Sequence, residues 1–227
     1  RLRDGRVMEI ASRSPVLQAF DGGRFEMGAV NGMQIALAQG EAVTAAGFIA
    51  DLSAVHKRLF VGAGARRFLE AHDIEAPADL LRWWPLGEDG AVVYLHHHRF
   101  LVVAPSGTTR PGPLFAIGPG SQDDTLVLHH EAADFALGGE AADAIVRELC
   151  PMNLAASSDD VWIATQLAHC NVAVRRMTTD AVTYRLMCAP ADAAFLFGVL
   201  VEVVQENGGT IAGFNDYLEL LEGGASR

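Results

Sequence analysis

A chain of 227 residues, half of them hydrophobic, is long enough to bury a continuous core as one large domain or two small ones. Its 17 Lys and Arg against 28 Asp and Glu leave a net charge of -11, which repels phosphate backbones and argues against a nucleic-acid partner. No apolar run approaches the ~18 uninterrupted residues of a membrane span, and no secretory-signal pattern is evident, so a soluble cytoplasmic protein with no membrane partner is expected; even the segment from Phe195 to Val204 is broken by Gly198 and Glu202.

Residues 1–45 are the least regular and read as an N-terminal arm that wraps over a core or reaches a partner. Ser14-Pro15 predicts a short helix carrying Val16, Leu17 and Phe20, since Pro is accepted in a first turn, and the alternation of Met33, Ile35 and Leu37 predicts a strand. From Ala46 the pattern is firmer. Residues 47–52 and 58–61 read as strands, Gly62-Ala63-Gly64 interrupts them, and a helix follows from Ala65 with Phe68 and Leu69 inward. Glu75-Ala76-Pro77 and Trp83-Trp84-Pro85 frame a connector. A strand pair at 91–95 and 100–104, joined by a tip at His96-His97-His98-Arg99, completes a first half over residues 46–107. Residues 108–122 are rich in Gly, Pro and Ser and read as a linker.

The same order returns over residues 123–209. Strands are predicted at 125–129 and 134–137, then a break at Gly138-Gly139, a helix over 140–149, and strands at 162–167, 172–177 and 182–188. After Pro190 a helix over 191–206 places Phe195, Leu196, Val199, Leu200 and Val203 at helical spacing and stops at Asn207-Gly208-Gly209. Leu59, Val61, Gly62, Ala65 and Leu69 match Phe135, Leu137, Gly138, Ala141 and Ile145 at one constant offset, and Ala104-Pro105 matches Ala189-Pro190 at a slightly longer one. An internal repeat of this kind predicts an α+β fold of two similar halves, each an antiparallel sheet with helices on one face, packed about a shared interface. The tail, residues 210–227, predicts an amphipathic helix with Phe214, Tyr217, Leu218 and Leu221 on one stripe, lying on its own core or docked on another subunit.

No stretch carries a specific catalytic signature. Neighbouring strand residues point to opposite faces, so His96-His97-His98 and His129-His130 do not form a metal site, and no metal is expected. The same alternation separates His169 from Cys170, whereas a Cys-His dyad needs converging side chains. Cys150, Cys170 and Cys188 are an odd set without a C-x-x-C pair and read as reduced, packed residues. Trp83, Trp84 and Trp162 read as core aromatics in preference to a ligand wall. Acid-base candidates are Asp51 at a strand end, Asp159-Asp160 in a connector and Glu88-Asp89 before a strand.

Leu149-Cys150-Pro151-Met152-Asn153-Leu154, then Ala164-Thr165-Gln166-Leu167-Ala168-His169, then Tyr184-Arg185-Leu186-Met187 with its closing helix, resemble the gamma subunit of heterotetrameric sarcosine oxidase. Asp51-Leu52-Ser53 and the run from Leu59 to Ala65 look like the wider aminomethyltransferase superfamily, that of the glycine-cleavage T-protein. The resemblance covers roughly residues 46–208. It implies a folate-binding fold related to enzymes that move a one-carbon unit from an amine to tetrahydrofolate, working beside larger partner subunits that carry a flavin or another redox cofactor. Where that family carries an Asp-Asp pair before a Val-Tyr strand, this chain has Asp89-Gly90 before Val93-Tyr94; the family's Asp in the Cys-Pro motif is Asn153, and its strand arginine is Ala164. The chain also stops before the C-terminal barrel of full-length aminomethyltransferases.

These departures favour an assisting subunit of an oxidoreductase acting on a methylated amine over a complete enzyme, with hetero-oligomeric partners and with tetrahydrofolate as the implied cofactor. In that reading Asp89 is the acid near the reacting nitrogen and Tyr94 a wall of the folate cavity. The alternatives are a structural scaffold subunit without a folate site and a stand-alone folate-dependent aminomethyltransferase.

Overall fold

Where apolar and polar residues alternate the backbone is extended, and glycine or proline clusters turn it. The computed structural model describes residues 12–20, 24–40, 42–108, 112–177 and 182–224. The arm supplies β1 (Ser12–Arg13), a 3-10 turn (Leu17–Phe20), β2 (Glu26–Val30) and β3 (Met33–Ala38). Next come β4 (Phe48–Asp51), β5 (Lys57–Val61), α1 (Ala65–Glu70), β6 (Trp83–Leu86), β7 (Gly90–His96) and β8 (Arg99–Val103). The stretch read as a linker carries α2 (Pro113–Ala116) and β9 (Gly120–Gln122). The repeated order follows as β10 (Thr125–His129), β11 (Ala133–Gly138), α3 (Ala142–Leu149), β12 (Trp162–Leu167), β13 (Cys170–Arg176), β14 (Val182–Cys188) and α4 (Pro190–Glu206), and then β15 (Thr210–Ala212) and α5 (Phe214–Gly224).

The fold is α+β, and its two large sheets have matching orders, β6-β7-β8-β5-β10-β9 and β12-β13-β14-β11-β4-β15. Position for position one is the other with a strand exchanged. β4 joins the later strands by pairing antiparallel with β11, and β10 joins the earlier ones by pairing antiparallel with β5. The connectors at 52–56 and 130–132 therefore cross between sheets instead of closing hairpins. A third, three-stranded sheet, β1-β3-β2, comes from the arm, and among the described residues no sheet closes into a barrel.

The crossings bring backbones into contact at glycines. A Cβ on Gly62 (φ +135), just after β5, would lie 2.2 Å from the Asp124 carbonyl oxygen, and one on Gly139 (φ +90), just after β11, would lie 2.5 Å from Gly47 Cα. Glycine is the residue that fits both the dihedral and the space, which is why the break recurs in each half.

Facing residues on paired strands share a side of the sheet. In the first sheet Phe60, Phe100 and Tyr94 stand in one row, and α1 covers them through Phe68, whose ring lies 5.8 Å from that of Phe60. The opposite side of this sheet, with Lys57, Val93 and Leu101, looks toward the second sheet. There one row holds Ala136, Arg185, Arg175 and Trp162, and the next holds Asp134, Met187, Ala173 and Ala164. The far side of the second sheet, with Phe135, Leu137 and Leu186, packs under α3 and α4 through Ile145, Leu196, Phe197 and Leu200. The layers run helix, sheet, sheet, helix.

Local signals explain the ends of α4. Pro190 occupies the first turn, where its missing N–H is no loss, and Gly208 (φ +76) follows Asn207 with the Gly209 N–H donating to the Val204 carbonyl at 2.8 Å. The arm and the tail pack on this chain's own core. Phe20 lies 5.4 Å from Phe197, and α5 buries Phe214, Tyr217 and Leu221 beside β3 and β4. The Trp83-Trp84-Pro85 connector is an edge strand, the one strand position where proline costs no ladder hydrogen bond. Among the described residues no helix is long and apolar enough to cross a membrane.

Candidate functional site

The row of arginines on the second sheet sits at the centre of a buried charged network. Arg185, on β14, donates from Nη2 and Nε to the two oxygens of Asp134 on β11 at 2.6 and 3.1 Å, and from Nη1 to Asp89 Oδ2 at 2.8 Å. Asp89, at the entrance to β7, also accepts from the Tyr217 hydroxyl of α5 at 2.8 Å and from the Ser106 N–H at 2.7 Å and hydroxyl at 2.5 Å. Lys57 Nζ lies 3.6 Å from Asp134 and donates to the carbonyls of Ser53 and Val55 at 3.3 and 3.1 Å. Arg175 donates to the carbonyls of Gly90 and Asp89, and its guanidinium carbon sits over the Trp83 ring, 4.8 Å from the ring centre. Asp51 accepts from the hydroxyls of Ser14 and Ser53. Strands of both sheets and α5 thus meet in one network, each side chain out of water.

The electrostatics follow from that enclosure. Burial alone pushes Asp89 up, but Arg185 and the donors Ser106 and Tyr217 outweigh it and hold the carboxyl below the usual range. Burial works against Arg185 as well, and Asp134, Tyr217 and Asp89 keep it well above its ordinary value. Among the described residues Arg175 makes no salt bridge, and burial with the neighbouring Arg185 charge pushes it down to about 10. Burial likewise lowers Lys57 against the pull of Asp134, and raises Asp51 despite hydrogen bonds from Ser14 and Ser53. Asp89 and Arg185 thus hold each other ionised, while burial works against the charge on Arg175, Lys57 and Asp51.

Asp89 and Tyr94 are not brought together. Asp89 points to the space between the sheets, where Oδ1 and Oδ2 are both engaged. Tyr94 stands on the α1 side, stacked on Phe100 at 4.7 Å with the Arg66 guanidinium 5.3 Å from its ring centre. A second acid at position 90 has no room, because a Cβ on Gly90 would lie 2.3 Å from the Leu86 carbonyl oxygen. The other candidates are dispersed. Asp159 and Asp160 are exposed and pair with Arg176 at 3.6 Å and Arg82 at 2.5 Å. His169, with Ala168, makes the tight turn between β12 and β13 in a left-handed conformation, and burial followed by the Asp192 charge raises the Cys170 thiol. The three cysteines are buried and free.

Beside the network a cleft of about 960 Å³ opens between the two sheets. Its floor is Ala164, Ala173 and Met187 of the second sheet, facing Leu95 and Leu101 of the first. Glu131, Gln166, Asn171 and Asp192 supply polar groups around it. The row of Trp162, Arg175 and Arg185 lies next along the same face, so the cleft ends where the charged network begins. Neither Asp89 nor Tyr94 lines it. A second cavity of about 310 Å³ lies across the connector 130–132, against the arm.

Of the network, sequence reasoning singled out Asp51 and Asp89 as acids and missed Lys57, Asp134, Arg175 and Arg185. The available signal was a charge inside an apolar alternation, as in Ala133-Asp134-Phe135 and Tyr184-Arg185-Leu186, where a side chain facing a second sheet needs a buried partner.

No protein-family model and no curated protein sequence matches the chain. Among solved structures it is similar to the glycine cleavage system aminomethyltransferase T from Bartonella henselae, with a TM-score of 0.62 and 16% identity over 90% of this chain and 60% of that one. This chain therefore spans about 60% of that aminomethyltransferase's length. It is also similar to a chain of the heterotetrameric sarcosine oxidase from Corynebacterium sp. U-96, a structure in complex with pyrrole 2-carboxylate, with a TM-score of 0.56 and 20% identity over 76% of this chain and 89% of that one. The chain has the aminomethyltransferase-like fold.

Proposed function

We propose that this protein is a small subunit of a heteromeric oxidoreductase that demethylates a methylated amine, similar to a sarcosine oxidase gamma subunit, and that its cleft receives tetrahydrofolate as acceptor of the one-carbon product. The observation that carries this reading is the match to nearly the whole of a chain from a heterotetrameric sarcosine oxidase. The flavin or other redox cofactor belongs to the partner subunits.

The cleft suits a folate in two respects. At about 960 Å³ it is at the large end of small-molecule pockets, which run to about 1,000 Å³. Its apolar floor takes a flat heterocycle, and Glu131, Gln166, Asn171 and Asp192 would hold the polar edges. Tetrahydrofolate bound there supplies the nitrogen that accepts the one-carbon unit. The protein's own contribution is to fix that ligand against the sheet and to keep water from a reactive iminium or formaldehyde. Asp89 is then a positioning residue, holding Arg185 behind the floor.

A purely structural subunit is the second reading, favoured by the full engagement of both Asp89 oxygens in the network. Titrating tetrahydrofolate into the purified chain and into its native complex separates the two. Saturable binding that disappears in Ala173→Trp, which fills the floor, supports the folate site. No binding in either preparation leaves the scaffold. Isolation from the source as a monomer with no co-eluting flavin, haem or iron protein would overturn the subunit assignment itself.

A further inference from the structure

We infer that the smaller cavity is a binding site for an oxyanion, the carboxylate or phosphate group of a small ligand. In a chain of net charge -11, its walls gather Arg13, His56, Lys57, Arg58, His129 and His130 against one acid among the described residues, Glu131. The fold assembles them from β1, from the β4–β5 crossing and from the β10–β11 crossing. Composition does not produce such a concentration; the two crossing connectors do.

Lys57 is already matched by Asp134 at 3.6 Å. Arg58 is not matched. It is 6% exposed, and its Nη1 donates to His129 Nδ1 at 2.7 Å and to the Lys57 carbonyl at 3.3 Å, while Nη2 donates to the Phe115 carbonyl at 3.1 Å. Among the described residues its Nε has no partner and no carboxylate lies within 4.0 Å of the guanidinium. A guanidinium withdrawn from water with neutral acceptors alone lacks the counter-charge that normally accompanies burial. Because His129 Nδ1 accepts from Arg58, its ring proton is on Nε2, a donor at the exposed rim.

Size narrows the ligand. At about 310 Å³ the cavity is at the small end of ligand sites, which begin near 300 Å³. It takes a phosphate or a short-chain carboxylate and not a folate. Planar donors such as Arg58 favour oxyanions over halides. The site stands apart from the cleft of the proposed function, although His130, Glu131, Ala132 and Pro190 form a common wall.

The test is titration of the purified protein with inorganic phosphate and, separately, with acetate, at ionic strength held constant with sodium chloride, following the histidine ring resonances by NMR. Saturable shifts of His56 and His129, with affinity lowered about tenfold or more in Arg58→Gln, are expected for the anion that belongs there. Arg13→Gln, on the exposed rim, weakens binding several-fold and carries the test if the buried variant does not fold. Saturation by phosphate alone assigns a phosphate ligand, and by acetate alone a carboxylate. Absence of saturable shifts with both anions, or equal affinity in the wild type and the folded variants, overturns the inference.

Discussion

The second sheet is held on its two sides by different physics. Under α3 and α4 its side chains Phe135, Leu137 and Leu186 meet Leu196, Phe197 and Leu200, all fully buried and apolar. On the side facing the first sheet it carries Asp134, Arg175 and Arg185, just as fully buried, answered by Asp89, Lys57 and Tyr217. The apolar side gains roughly 25 cal/mol per Å² removed from water whatever the detailed angle of approach. The charged side loses several kcal/mol per ion to desolvation and recovers it only where every pair is made. The apolar layer therefore supplies stability, and the charged layer is complete in one alignment of the two sheets only.

The difference can be broken from the charged side first. Asp134→Ala strips the partner from both Arg185 and Lys57 and is expected to cost about 3–5 kcal/mol in denaturant unfolding, the largest single effect. A loss below about 1 kcal/mol would show that the network is not held as described. On the apolar side Leu200→Ala is expected to cost about 3 kcal/mol through lost burial and a cavity, with no change in acid sensitivity. Tyr217→Phe removes one hydrogen bond to an ionised carboxylate and is expected to cost about 1.5 kcal/mol, and it moves the acid unfolding midpoint upward.

The pH dependence sharpens the same contrast. Asp89 titrates below the ~3.9 of an unfolded Asp, so its contribution is present above that value and is lost as pH falls through the folded pKa. His56 is lowered by burial and then by the Arg58 and Lys57 charges, and His130 by burial and Lys57 against Asp134. Their contribution is complete above about 6.5 and declines below it. Asp51, raised by burial, has the opposite sign and costs stability as pH rises past about 3.9. Unfolding free energy measured from pH 8 to 3 should fall in two stages, and the lower stage should shrink in Asp89→Asn. At the small end, Arg82→Ala breaks a pair open to solvent, and no resolvable change in the unfolding midpoint is expected.

Local chemistry made much of the fold legible. The alternation over 125–129, 162–167 and 182–188 coincides with β10, β12 and β14, and Pro190 with Asn207-Gly208 bounds α4 to within a residue. Such signals act between near neighbours and survive without tertiary context. Trp83-Trp84-Pro85 reads as the frame of a connector, and an edge position in the finished sheet is what makes that proline acceptable in β6. α2 and β9 are short elements in a Gly- and Pro-rich stretch, with too few residues to set a period. Of the site, Asp89 was legible as an acid before a strand; its partner Arg185 lies 96 positions away and was not.

By itself the sequence determined where most of the later strands and α4 run and which glycines break the pattern, because period, capping and turn preference are written within a few residues. Only the tertiary structure decided that β4 and β10 exchange sheets, since the connectors 52–56 and 130–132 have the same local chemistry whether they turn back or cross over. That exchange sets His129 of β10 beside Arg58 of β5 at the cationic cavity. Burial then decides what each charge does, because a carboxylate's partners and solvent exposure are properties of the packed interior and not of its neighbours in the chain.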